Sequence, residues 1–263
     1  MTLSESMNPV LPLRTVQDFE RRLKALLRNA GAAARYTYTW ETIKSYEARR
    51  PQLSARLKEF VGFWNTILSA LQTSAIVALG RMYDKRSDVL SAAVLLDCAR
   101  TNQGLFSLNS LRSRVESRLT APADVESYIN KYRPPKRPQF DALTKGLENQ
   151  TKFYEKYISP IRNNVFAHAG DLTQEEQHDM LADVPMADFE QLTVFPLCLY
   201  QTLWQTYYNG LDLVLTDAPT DIVKLLATPL GRSAIGMEHQ HAVRDATVFL
   251  ESLTPTNVDV SGR

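Results

Sequence analysis

The chain has 263 residues, 44% apolar and 22% charged, a balance that excludes a disordered or fibrous polymer and leaves room for a sizeable core in one large domain or two small ones. Its two cysteines, Cys98 and Cys198, sit in apolar helical contexts and support neither a disulfide framework nor a tetrahedral zinc site, so both read as small buried hydrophobes. A net charge of +1 conceals an asymmetry, with 26 Lys+Arg against 15 Asp+Glu in residues 1–162 and 4 against 14 in residues 163–263. Such halves pair with each other, or the first offers a surface to a polyanion; the former is the stronger general expectation.

Residues 1–13 read as a flexible leader. With Glu5, Pro9 and Pro12 they have neither the basic nor the apolar region of a secretory signal. From Thr15, the spacing of Val16, Phe19, Leu23, Leu26 and Leu27 predicts an amphipathic helix stopping at Gly31. Tyr36, Tyr38 and Trp40 alternate like a strand but have no partner run, so they lead into a short helix ending near Arg50. Residues 51–84 form the longest periodic run and predict the central helix of a bundle, with Arg81 and Asp84 near its end spaced to pair. Within it, residues 67–79 are the best membrane candidate. Ser69, Gln72, Thr73 and Ser74 interrupt that run, and it falls short of the roughly 20 residues of a span, so a cytoplasmic location is expected.

Further helices are predicted from Ser87 or Asp88 to Ala99 and over 103–119, the latter with Arg112, Arg114 and Arg118 outside. Pro134, Pro135 and Pro138 make a break. In this turn Arg133, Lys136 and Arg137 are candidate contacts to an RNA backbone, against the commoner alternative of a solvated basic turn. The helical period resumes over 139–169, where Pro160 must kink or restart it. Thr173 to Glu176 fits a capping box, residues 189–215 predict a strongly apolar helix, and two short helices are expected over 219–227 and 239–253. The whole reads as an all-α, single bundle-like domain over 51–217, preceded by accessory helices in 1–50 and followed by short helices in 218–263. No Gly-rich phosphate loop, HExxH or CxxC motif occurs, and neither metal nor cofactor is expected. His239 and His241 with Glu238 read as solvated polar residues rather than a metal site.

Residues 159–170 gather unlike polar groups on a helical frame. A guanidinium pairs two oxygens of a phosphate and an imidazole moves a proton near neutral pH, so Arg162 and His168 are a candidate pair for phosphodiester chemistry. Their spacing carries little weight. With 20 Arg and 4 His in the chain, about 0.9 Arg to His pairs with four to six intervening residues are expected by chance, and two occur, the second being Arg232 and His239. Context separates them, since Ile161, Val165 and Phe166 can bury one face of the first helix while Arg232 lies in loop chemistry. On an ideal helix Arg162 and His168 lie about 120° apart and roughly 9 Å along the axis, flanking a groove. If Pro160 restarts the helix with Ser159 as N-cap, Arg162 also stands in a first turn whose free N–H groups favour an anion.

Arg162-Asn163-x-x-x-Ala167-His168, late in a long helix, resembles the characteristic element of the HEPN superfamily, and more narrowly the abortive-infection proteins of the U type. The run Ala78-Leu79-Gly80-Arg81-Met82-Tyr83-Asp84 is similar to that branch as well, and the resemblance covers roughly residues 50–215. It implies a toxin-like, metal-independent ribonuclease of phage defence or stress, acting as a homodimer with a composite site. Arg162 would hold the scissile phosphate, His168 would be the general acid or base, and Asn163 would orient the site, with Asn164 a weaker candidate. A neutralising antitoxin partner fits that role. The alternatives are a non-catalytic helical module that binds RNA or protein, and a purely structural dimer.

Overall fold

The computed structural model describes residues 13–84, 90–118, 125–126, 129–167, 173–215 and 238–253. Among them every regular element is helical, as the periodicity predicts. Helix α1, Leu13–Arg49, runs 37 residues without interruption. The expected stop at Gly31 does not occur because no cap or turn follows it. Instead Ala30, Ala33 and Ala34 continue the helix fully buried. Gly31 faces the C-terminal helix so closely that a Cβ there would lie 3.2 Å from the Glu238 side chain. The aromatic alternation resolves the same way. Tyr38 and Thr42, one turn apart, are buried, and the Thr42 hydroxyl donates to the Tyr38 carbonyl at 2.6 Å.

The long apolar run divides into α2, Pro51–Glu59, and α3, Val61–Tyr83, at Phe60, whose φ of −125° and ψ of 45° leave the helical region. Over its 23 residues α3 is long and apolar enough to meet the length and composition of a membrane span, longer than the interrupted segment read from sequence. Its second half, from Ala75 to Tyr83, enters the core; at its start Val61 and Phe63 are exposed. Helix α4, Ala92–Thr101, is capped by Ser91. The expected helix over 103–119 is instead a tight 3-10 turn, Gln103–Phe106, followed by α5, Leu108–Glu116, with Ser107 as its cap.

Helix α6, Arg137–Phe153, takes Pro138 into its first turn, where a missing N–H costs nothing. It then passes without a break through a π-wound turn, Tyr154–Ile158, a helical step, Ser159–Ile161, and a second π-wound turn, Arg162–Ala167. Pro160 therefore neither stops the helix nor restarts it. A proline removes one hydrogen bond and crowds the carbonyl four residues back, and the wider turn relieves both. Helix α7, Gln174–Ala182, has the Thr173 and Glu176 capping box. Helix α8, Met186–Asn209, ends earlier than expected because Gly210 takes a left-handed φ of 67°. Helix α9 spans Glu238–Ser252.

The main core joins Phe19, Leu23 and Leu26 of α1 with Leu79 and Met82 of α3, Leu95 and Leu96 of α4, Phe140, Leu143 and Leu147 of α6, and Leu192, Leu199, Leu203 and Tyr207 of α8. Each such side chain contributes about 1.5–3 kcal/mol on burial. Helix α1 is the centre, packed against α3, α8 and α9. Cys98 and Cys198 are half-buried rather than buried.

Candidate active site

Arg162 lies where the second π-wound turn crosses the end of α3. Ile158 and Ile161 anchor this segment in the core, each only 1% exposed, which leaves Arg162 half-buried and Asn163 and Asn164 exposed. The guanidinium lies directly on Gly80. A Cβ at residue 80 would stand 2.7 Å from Nη1 and 3.0 Å from Cδ of Arg162, so this placement of the guanidinium requires glycine at that position. From the other side Nη1 donates a hydrogen bond of 3.1 Å to the hydroxyl oxygen of Tyr154.

Tyr154 is itself fixed. Its ring stacks on Tyr83 with centroids 5.4 Å apart and an interplanar angle of 19°. The Tyr83 hydroxyl donates at 2.8 Å to the carbonyl of Leu192. That carbonyl is one that an ordinary helix would satisfy with the N–H four residues on, and the residue there is Pro196, which has none. Burial, and after it the neighbouring Cys198, pushes the Tyr83 phenol well above its ordinary pKa, so it serves as a donor and not as an acid or base.

Arg162 opens onto a cleft of about 660 Å³. Arg28 and Asn29 of α1 line it, with Val77, Gly80 and Arg81 of α3, and Asp84 and Leu90 beyond. Sequence reading did not connect Arg28, Asn29 or Tyr154 with Arg162. The run 78–84 resembles the family branch, and that resemblance assigns no role to Gly80.

The sequence-derived candidates do not all meet. His168, the second member of the pair, lies outside the described residues, as does Arg232. Asn163 stands beside Arg162 on the exposed side. Ser159 has helical dihedrals of −60° and −43° and does not cap a helix, so Arg162 is not in a first turn with free N–H groups. Arg133, Lys136 and Arg137 are exposed at the far end of α6, roughly 35 Å from Arg162 at 1.5 Å per residue. There Arg133 donates to the Tyr132 carbonyl at 2.9 Å and Arg137 lies 4.0 Å from Asp141. His239 is not solvated as expected. It is fully buried, 5.4 Å from the Tyr38 ring, with Gln240 buried beside it and His241 exposed.

The Arg162 site and the helices that build it lie within one matched family. The chain matches the HEPN family model described as AbiU2 over residues 16–226, and it belongs to that abortive-infection family. The match takes in nearly all of α1 as well as the helices from α2 to α8. No curated protein and no solved structure matches the chain.

Proposed function

We propose that the protein is a metal-independent endoribonuclease, toxin-like, that cleaves RNA at a composite site between two copies of the chain. The observation that carries this reading is the Arg162 guanidinium, fixed between Tyr154 and Gly80 and open on one side to a cleft lined by further arginines. Fixed donors aimed where charge develops are what a phosphoryl transition state needs. In the reaction the ribose 2′-hydroxyl gives up its proton as its oxygen bonds to phosphorus, the bond from phosphorus to the 5′-oxygen breaks, and the leaving oxygen takes a proton. Arg162 neutralises the phosphoryl oxygens. His168 transfers a proton at the 2′- or the 5′-oxygen, and Asn163 orients the strand. The products are a 2′,3′-cyclic phosphate and a free 5′-hydroxyl. The protein acts in the cytoplasm during phage infection or stress, and an antitoxin partner holds it in check.

The test is cleavage of RNA by the purified protein in EDTA, with products resolved by their end groups. Arg162→Ala and His168→Ala are expected to abolish cleavage while the helical circular dichroism is unchanged. Cleavage that survives in both variants rejects the reading. RNA binding without any cleavage, unaffected by either variant, establishes the non-catalytic binding module instead.

A further inference from the structure

We infer that Arg28, Asn29 and Arg81 form a strand-binding extension of the Arg162 site, which takes the phosphates and sugars of single-stranded RNA next to the scissile one. The inference rests on the ribonuclease reading for its choice of ligand, and on the cleft for its residues. Three residues of α3 lie on the cleft wall, Val77, Gly80 and Arg81, and their spacing of three and one places them on one helical face, with Asp84 just past its end. Arg28 and Asn29 come from α1, which packs along α3. Arg162 comes from a third segment. The cleft therefore draws cations from three parts of the chain far apart in sequence.

Charge and chemistry both favour an extended polyanion. Three arginines against one aspartate leave the cleft lining with a net charge of +2. Arg28 and Arg81 are exposed, with guanidinium groups able to pair two phosphate oxygens each. Asn29 offers an amide that both donates and accepts, as a 2′-hydroxyl or a base edge requires. Val77 and Leu90 supply the apolar surface against which a ribose or base face rests. A volume of about 660 Å³ is far more than one phosphate fills, and Arg28 and Arg81 on its lining are exposed.

The experiment measures binding of the full-length protein to a fluorescent single-stranded 2′-O-methyl RNA, which has no attacking hydroxyl, across a series of salt concentrations. Arg28→Gln and Arg81→Gln are each expected to weaken binding about tenfold, the effect of removing a hydrogen bond to a charged group. Each should also lower the slope of log affinity against log salt by about 0.7, the value for one phosphate contact on a single strand. Arg28→Lys and Arg81→Lys keep the charge and should keep the slope. Lys58→Gln on α2, exposed and not part of the cleft, should change neither quantity. Unchanged affinity and slope in both glutamine variants, or an equal effect of Lys58→Gln, overturns the inference. Loss of slope together with cleavage that survives Arg162→Ala and His168→Ala leaves the cleft standing and rejects the nuclease reading. The reverse pattern, cleavage dependent on Arg162 and His168 with no effect of Arg28→Gln or Arg81→Gln, rejects the cleft alone.

Discussion

Arg162 rests on α3 because residue 80 has no side chain, and this makes Gly80 the position where function and stability separate most cleanly. An added methyl group would meet only the far end of the Arg162 side chain, at 2.7 Å, and a flexible side chain moves aside without disturbing the fold. Alanine is also the better helix former, by about 0.5–1 kcal/mol. Gly80→Ala is therefore expected to leave the melting temperature unchanged or raised. Because displacement of a catalytic group by an ångström costs on the order of a hundredfold in rate, its cleavage activity should fall by that order. Tyr154→Phe removes one hydrogen bond to the same guanidinium and should cost about tenfold. Full activity in Gly80→Ala would detach Arg162 from the chemistry.

Two prolines inside helices are the elements that organise this site, and neither acts as a break. Pro160 is absorbed by π-wound turns on both sides, and Pro196 leaves the Leu192 carbonyl to be satisfied by Tyr83 from another helix. Tyr83→Phe should lower stability by about 1–3 kcal/mol, the penalty of an unsatisfied buried acceptor. At this chain length that is a melting shift of about 2–4 °C per kcal/mol. Pro196→Ala returns an N–H to Leu192, so Tyr83→Phe should cost clearly less in that background. A double-mutant cycle with no coupling would contradict the pairing. These elements also mark what was legible beforehand. The helical period and the Thr173 capping box were readable, because each is a local pattern of side chains along one helix. Gly31 does not stop α1 because a local breaker signal yields to packing against Glu238, and Pro160 does not restart its helix because a widened turn absorbs it. Arg28 joins Arg162 only through helix crossing, which no spacing in the chain records, and Tyr154 meets it from eight residues back on the same run, a separation set by the π-wound turn between them.

Across the whole molecule, the described residues include an ion pair between the halves, Arg50 with Glu251, at 3.5 Å and about half exposed. Arg114 and Arg118 do cross over, donating to the Tyr207 and Tyr208 carbonyls at the end of α8, where cations complement the helix dipole. Arg114 is thus half-buried over the Tyr207 ring rather than outside. The helix that holds this assembly together, α1, also carries its main pH sensitivity. Glu41 is 7% exposed, and neither of its carboxylate oxygens has a hydrogen-bond partner among the described residues. Burial, and after it the charge of Glu190 on α8, pushes its pKa from 4.5 up to about 8. The folded state therefore keeps this proton over a range in which the unfolded chain has released it. Where the unfolded state binds fewer protons, stability falls as pH rises. Between roughly pH 5 and pH 8 the slope from this one group approaches 1.4 kcal/mol per pH unit, and below that window it vanishes. Glu41→Gln, neutral at every pH, is expected to unfold at nearly the same denaturant midpoint as the wild type near pH 5. At pH 8 the variant should be the more stable of the two. Parallel curves for the two proteins from pH 5 to pH 8 would show that Glu41 is already ionised in the folded state, and that α1 carries its charge into the core.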